Sequence, residues 1–509
     1  MRISVMFLAL MLTSIGTTAS ADESPPGSRP DIIRIASGSR TLTLDPTRSW
    51  NSGDIETFGQ LYSRLFRRDR AGSLQPGLAE RWEISADART YTFYLRDARF
   101  SDGTPITADD VRFTLLRMRD DPEALYSEPV SGVVDVVAID QRTVRVTLAE
   151  PNVPFLDTLE VCFLGITSRA DVENRGSEKA FTERPVTSGP YRVREWKPGD
   201  RLILEANPYY WRAGFPRNDG AELIEVIDAN TRIAMLLAGE VDAIRQLGWS
   251  KAESFRSQGK VSVPLEPANL IWLILLNHAQ PPFDDLRVRQ AAALALDREA
   301  MARVVLRNLG PVANTTMPAS LDHHVADFPG WPYDLERARQ LMAEAGAAGR
   351  EVIINIAAPS PQMELIGLIL QAQWAEIGLE TRIVKMDQGQ EVQRLMDGDY
   401  NASINWWYNE NPDPDLALKW AVCGSCGNRA YYTNYSNKEV DRLIAEAARE
   451  PDPALRRELY QRVQKISTGE VAQIPLFYPP WVNAYSNAIE GLGMTPALQW
   501  TLENARHLR

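Results

Sequence analysis

Three cysteines and four histidines are the thiol and imidazole groups this chain can bring to nucleophilic, redox or metal chemistry. Cys423 and Cys426 stand three apart in Cys-Gly-Ser-Cys. That spacing serves a small-loop disulfide, a redox pair or half of a thiolate metal site. A redox pair needs a helix start after a strand, and Gly424 and Gly427 oppose a helix here. The motif therefore reads as a disulfide, with a reduced pair and redox or metal chemistry as alternatives. Cys162 lies in Leu159-Glu-Val-Cys-Phe-Leu and reads as a buried apolar filler. His278, His323, His324 and His507 are scattered. Adjacent side chains cannot both face one site from a helix or strand, so His323 and His324 read as solvated loop residues. The chain has no Gly-x-x-x-x-Gly-Lys, no His-Glu-x-x-His and no Gly-x-Ser-x-Gly. Phosphate cradling, zinc hydrolysis and acyl transfer thus have no motif to carry them, and nothing positions a Ser-His-Asp site. No catalytic residue, metal or cofactor is expected.

The elements that would hold any site alternate between strands and helices. Period-two apolar patterns predict strands at 32–36, 90–95 and 144–148, and a hairpin over 191–206 turning at Pro198-Gly199-Asp200. Residues 224–228 and 241–244 read as short strands around a helix that Gly239 ends. Residues 271–277 form a nearly continuous apolar run, the pattern of a strand covered on both faces. Thr107-Ala-Asp-Asp110 is a capping box that starts a helix. Further on, a long helix or helix pair spans 286–309, and Asp334 caps a helix that Gly346 stops. Strands at 352–356, 380–384 and 402–407 alternate with helices at 362–378 and 388–396. Ser436 caps another helix, a helix covers 453–470, and a last strand begins at Ile474.

The chain has 509 residues, enough for about three structural units. Hydrophobic residues at 44% and charged residues at 24% fit a soluble globular protein rather than a disordered one. With 55 Lys and Arg against 67 Asp and Glu, the net charge is −12, which opposes nucleic acid or an anionic membrane surface as the main partner. Arg2, the apolar run 3–15 and Ala19-Ser20-Ala21 form a signal peptide over residues 1–21. No cysteine follows the run to accept a lipid, so the expected location is the periplasm.

Three segments carry a family resemblance. The first runs Gly77-Leu-Ala-Glu-Arg-Trp and continues through Tyr91-Thr-Phe-Tyr-Leu-Arg-Asp-Ala-Arg-Phe-Ser-Asp-Gly-Thr-Pro. The second is Thr187-Ser-Gly-Pro-Tyr-Arg-Val, closing in Glu205-Ala-Asn-Pro-Tyr-Tyr-Trp211. The third is Pro282-Phe-Asp-Asp-Leu-Arg-Val-Arg-Gln-Ala-Ala-Ala-Leu-Ala-Leu-Asp297. Together they resemble the family 5 extracellular solute-binding proteins, the peptide, nickel and opine receptors of ABC importers. Read alone, these motifs are turns, a hairpin and a helix start, and they mark no ligand contacts. The resemblance implies an α/β, two-lobed periplasmic binding protein fold of the large cluster C type, with an extra subdomain in lobe I and a hinge of two crossings. Lobe I is placed at 22–58, 187–275 and 481–509, the extra subdomain at 59–186 and lobe II at 276–480. The crossings are placed near Leu275 and Pro480, with Pro479-Pro480 and the region of Asn277 and Pro281-Pro282 as stiff hinge segments.

The resemblance also implies a binding site. In peptide-binding relatives a Trp and an Asp after a lobe II strand line the cleft, and the Asp meets the ligand's ammonium. Aligned on Asp413-Pro-Asp415, these fall on Trp407 and Glu410. The alternative for Glu410 is a solvated loop carboxylate. Trp406 and Trp407 must point to opposite faces of a strand, so Trp406 is the alternate cleft residue. Tyr408 and Asn409 are possible polar contacts, Trp50, Asn51 and Ser52 are candidates on the lobe I side, and Trp272, which begins the strand into lobe II, is a further candidate. Each Trp could equally be packing, with 13 in the chain. Dipeptide-type relatives hold the ligand carboxylate with an Arg just before the 362–378 helix, and this chain has none between 356 and 362. The expected function is a monomeric periplasmic receptor that captures an amine-bearing peptide or opine-like solute and hands it to the membrane permease of an ABC importer. The competing readings are an exported hydrolase of peptide-like substrates and, less supported by the few His and Cys, a metal or haem carrier.

Overall fold

The computed structural model describes residues 30–49, 51–69, 72–182, 184–426, 430 and 432–508. The expected signal peptide and Trp50 lie outside the described residues. Three larger sheets organise the rest. A seven-stranded sheet has Ile32–Ser37 at its centre, paired in parallel with Gly220–Glu225 on one side and Ala243–Ile244 on the other. The hairpin Tyr191–Lys197 and Arg201–Ala206 extends one edge, and Ala484–Ser486 with Val261–Ser262 the other. A four-stranded antiparallel sheet, Ala79–Ile84, Thr90–Leu95, Thr143–Leu148 and Val133–Ala138, packs with the helix Ala108–Asp120 on one shared apolar core with the first sheet. A five-stranded sheet orders Glu380–Met386, Glu351–Ala357, Ala402–Tyr408, Leu270–Leu276 and Ile474–Phe477.

The third sheet shows why its sequence reads as it does. All seven residues of Leu270–Leu276 are buried. Leu270, Trp272, Ile274 and Leu276 join one core, and Ile271, Leu273 and Leu275 join another on the opposite face. A strand flanked by two partners and covered by helices on both sides has no polar face to offer, hence the unbroken apolar run.

That burial corrects the expected boundary. The strand belongs to the five-stranded sheet along its whole length, so the first crossing lies at 263–269 rather than near Leu275. Asn277 is not a hinge residue either: its side-chain amide is bonded to Gly398 O, Tyr400 O and Asn434 within the same lobe. The second passage follows Pro479-Pro480. There Trp481–Val482 pairs with Leu265–Glu266, so the two connections between the large sheets run side by side as a short antiparallel ribbon. Glu266 is buried in that ribbon and accepts from Asn483 Nδ2, the Tyr485 hydroxyl and Met494 N. Burial raises its pKa, and the three donors make an unpaired carboxylate tolerable there.

Local signals otherwise translate closely. Thr107 and Asp110 form the reciprocal capping box, and Gly239 and Gly346 close their helices in the left-handed conformation. The 286–309 segment is a pair, Leu286–Leu294 and Arg298–Val305, because Asp297 caps the second helix. The expected strand at 224–228 is Gly220–Glu225, since Asp228 is already the cap of Ala229–Ala238. Asn437 rather than Ser436 caps Lys438–Arg449. Among the described residues no helix is long and apolar enough to cross a membrane.

Truncating the central strand should be severe. Leu273→Ala removes a fully buried side chain and should destabilise the protein by about 2–5 kcal/mol. Leu368→Ala, at a site 58% exposed, should change stability by no more than about 0.5 kcal/mol. Thermal melts of both variants check this; equal effects would show that the central strand is not as tightly packed as described.

Candidate ligand cleft

The Ala402–Tyr408 strand runs antiparallel to Leu270–Leu276, with Trp406 opposite Trp272 and Trp407 opposite Ile271. Alternation then sorts its aromatic residues. Trp407 is 6% exposed and packs in the lobe II core with Leu418, Ala421 and Val422. Its expected place in the cleft is therefore corrected: the helix Pro414–Val422 covers that face of the sheet. Trp406 and Tyr408 share the other face, their rings stacked with centroids 6.4 Å apart. Tyr408 also meets Trp481 of the hinge ribbon edge-on at 6.1 Å. Its hydroxyl is enclosed, has no hydrogen-bond partner among the described residues, and lies in the field of Glu410, Cys162, Arg245 and Glu56. Three of those four belong to the opposite lobe, so this face looks across the cleft. Trp272 is buried against Trp249, centroids 5.2 Å apart, and is packing.

Glu410 follows directly. Tyr126, on a loop of the extra subdomain, donates its hydroxyl to Glu410 Oε2 across the cleft at 3.1 Å. The Tyr126 ring lies on Phe163, centroids 4.3 Å apart. Burial pushes the Glu410 carboxyl from 4.5 up to about 7, and its own backbone and Tyr126 only partly oppose this. No basic side chain among the described residues forms an ion pair with it. Glu410 is half-buried, and the Tyr126 hydroxyl of the opposite wall covers one of its carboxylate oxygens.

The other loop residues are occupied with structure. Asn409 donates through Nδ2 to Asn411 O at 2.6 Å and Asp413 O at 3.1 Å, and its backbone N–H bonds Asn269 O. It holds the loop against the hinge and has no donor to spare for a solute. Asn51 caps Ser52–Leu61 and donates Nδ2 to Arg40 O at 2.6 Å. Ser52 touches Ser39 through the hydroxyls, 3.2 Å apart. Ser39 in turn receives Arg245, which is ion-paired with Glu56. Glu56 and Arg245 are both nearly inaccessible; burial raises Glu56 to about 7 against the pull of Arg245 and a donated bond from Trp500 Nε1. Tyr126, Phe163 and the Glu56–Arg245 pair carry no local sequence signal, since they are joined only by the fold.

The lobes also meet beside the cleft. Asn411 Nδ2 donates to Asp157 O at 3.3 Å, Val153 N to Ala448 O at 2.8 Å, and Lys419 lies 3.9 Å from Glu128 while pairing with Asp415 at 2.8 Å. Glu128, Asn411, Asp415 and Lys419 line a cavity of about 120 Å³ there.

The histidines do not converge. His278 packs on Tyr435, and burial with nearby Arg289 lowers it to about 3. His323 stacks on Tyr460 and His324 meets Tyr478. Burial lowers both, so neither is the solvated residue expected. His323 has φ of 64°, and that turn sends the two rings to different tyrosines. His507 sits between Asp31 and Asp242, at the start of the central Ile32–Ser37 strand and its neighbour; burial opposes its protonation, but the two carboxylates raise it. Among the described residues no group of three or more His, Cys, Asp or Glu could hold a metal ion. Cys423 and Cys426 are bonded, with Cα atoms 5.4 Å apart, at the end of the Pro414–Val422 helix. Cys162 is a buried free thiol whose pKa burial pushes up.

Residues 73–428 match the family described as bacterial extracellular solute-binding proteins, family 5 Middle. The glutathione-binding protein GsiB of Escherichia coli strain K12 is 28% identical over 504 residues, which cover 97% of this chain and 98% of that protein. The fold is shared with AgaA from A. tumefaciens R10 in complex with agropinic acid, at 23% identity and a TM-score of 0.85, over 94% of this chain and 99% of that one. It is shared equally with a dipeptide-binding protein from Pseudoalteromonas sp. SM9913 in complex with Met-Leu, at 24% identity and a TM-score of 0.85, over 94% of this chain and 100% of that one.

Two measurements follow from this geometry. The closed arrangement raises Glu410 to about 7, so its stabilisation of closure is complete below 4.5 and lost as pH rises through 7. The half-buried Glu128 is shifted in the same direction. Small-angle scattering of ligand-free protein should therefore show a growing radius of gyration from about pH 5 to about pH 8, and Glu410→Gln should flatten that change. A radius independent of pH would contradict it. Separately, alkylation of protein exported from the cell, without prior reduction, should leave Cys423 and Cys426 unmodified; two alkylated thiols would rule out the bond.

Proposed function

The chain belongs to the bacterial extracellular solute-binding proteins of family 5, and on that premise we propose that it captures a small amine-bearing solute, a peptide or an opine-type conjugate, with Glu410 as the ammonium acceptor. As a member of that family it is a solute-binding receptor of an ABC importer and not an enzyme. The exported-hydrolase alternative is thereby dropped. The ligand reading rests on one observation: a half-buried carboxyl at the lobe interface that has a tyrosine for a donor and, among the described residues, no cation in an ion pair with it.

A carboxylate taken out of water needs positive charge or several donors. Tyr126 supplies one hydrogen bond. A ligand ammonium would supply the charge, return Glu410 to its ionised form and so make closure favourable at neutral pH. Trp406 and Tyr408 offer aromatic walls, and the free Tyr408 hydroxyl offers a polar contact. Ser52 stands behind the Glu56–Arg245 pair and supports the wall from the lobe I side. Relatives of this kind are described with glutathione, Met-Leu and agropinic acid, all of which combine amine or amide nitrogen with carboxylates. The working cycle is a rotation of lobe II about the 263–269 and 478–483 passages, closing both walls on the solute. The ligand drives closure only by binding the closed form better. The closed form is then recognised by the membrane permease of the importer. The protein acts as a monomer in the periplasm, after removal of residues 1–21 as a signal peptide.

Glu410→Gln keeps the shape of the side chain and removes its charge. A hydrogen bond to a charged group contributes about 1.5–3 kcal/mol, so calorimetry should show affinity for an amine-bearing solute falling about tenfold or more. An unchanged dissociation constant would refute the assignment.

A further inference from the structure

The contacts between the lobes fall into two groups. Glu410, Trp406 and Tyr408 belong to the solute walls. The others lie beside those walls and join lobe II to the extra subdomain, which shares an apolar core with the seven-stranded sheet and so travels with lobe I.

Two short segments of the extra subdomain build this seam. The first is Glu150-Pro-Asn-Val-Pro154, after the Thr143–Leu148 strand. Prolines at 151 and 154 restrict its backbone, and the buried Tyr91 donates its hydroxyl to Asn152 O at 2.9 Å. Thus fixed, Val153 N–H donates to Ala448 O at 2.8 Å. Ala448 stands in the last turn of Lys438–Arg449, where helix carbonyls lack intrahelical partners, so the opposite lobe completes that helix end. Beside it Glu150 pairs with Arg449. The second segment is the turn Glu128–Val130, where Glu128 faces Lys419 of the Pro414–Val422 helix at 3.9 Å. The subdomain therefore brings two acids and lobe II two bases. Both segments border the cavity of about 120 Å³, and Asn152 Oδ1 on its lining has no hydrogen-bond partner among the described residues. A polar seam with unfilled space can part as a unit, which a close-packed apolar core cannot.

We propose that this seam is a closure latch: the extra subdomain grips lobe II at two points apart from the solute and sets the fraction of receptor that is closed before any solute arrives. Latch contacts that involve no solute group favour closure equally for every solute, so they tune affinity without discriminating. Selection stays with the cleft walls. The latch stands whether or not Glu410 receives an ammonium.

Reversing the two acids tests it. Small-angle scattering of ligand-free protein at about pH 6 should give a larger radius of gyration for Glu128→Lys combined with Glu150→Lys than for the unmodified protein, since the reversed charges then face Lys419 and Arg449. Adding Arg449→Glu should bring the radius part of the way back. Raising the salt to about 1 M should do the same for the doubly reversed protein by screening its like charges. A misfolded variant would respond to neither change. Equal radii for the unmodified and doubly reversed proteins, or an enlargement that neither Arg449→Glu nor salt reduces, overturns the latch.

Discussion

A carboxylate enclosed between two lobes has to be matched, and the way this protein matches its buried acids orders the rest of the structure. Glu266 at the hinge receives three protein donors. Glu56 receives Arg245 and the Trp500 indole. Among the described residues Glu410 receives one side-chain donor, Tyr126, besides its own backbone. The first two are finished inside the fold and hold it; the third is left unfinished at the surface where the lobes meet. A rise from 4.5 to about 7 corresponds to a bias of roughly 3 kcal/mol against the ionised closed form. That is the scale on which a domain closure can be made conditional, because a shift in population needs only a few kcal/mol of differential binding.

The scaffold makes the conditionality possible. Leu270–Leu276 fixes the five-stranded sheet, and with it the position of Trp406, Tyr408 and the Asn409–Asn411 turn. Asn269 ties that turn to the hinge: its N–H bonds Pro496 O, its carbonyl accepts from Asn409, and its side chain donates to Asn409 O. Rigid lobes on a paired ribbon can rotate without repacking either core. The acid then moves as part of lobe II while Tyr126, Phe163 and Arg245 wait on the other wall.

Much of this was legible from local patterns. The capping box at Thr107, the Gly239 and Gly346 stops and the apolar run at 271–277 each depend on residues a few positions apart. The family motifs carried the two-lobed architecture and pointed to the loop around Glu410. What the sequence left open depends on which face a sheet presents. Alternation placed Trp406 and Trp407 on opposite sides, yet only the helix Pro414–Val422, not foreseen, decides that Trp407 is the core residue. The same run that announced a buried strand could not say which sheet it joins, so the crossing was set too late. Tyr126 sits in Asp-Pro-Glu-Ala-Leu-Tyr, a loop with no period to read, and becomes informative only when Glu410 arrives from the other lobe. The reading of His323 and His324 as solvated failed for the opposite reason: they lie in a loop, but that loop is packed on tyrosines.

The most direct measurement is a crystal structure of the protein with a bound solute. The account expects a ligand ammonium within about 2.7–2.9 Å of the Glu410 carboxylate, with Trp406 and Tyr408 against the ligand and Trp407 still in the core. A complex in which the ligand's amine lies elsewhere, while Glu410 faces water or pairs with a protein cation, would contradict it.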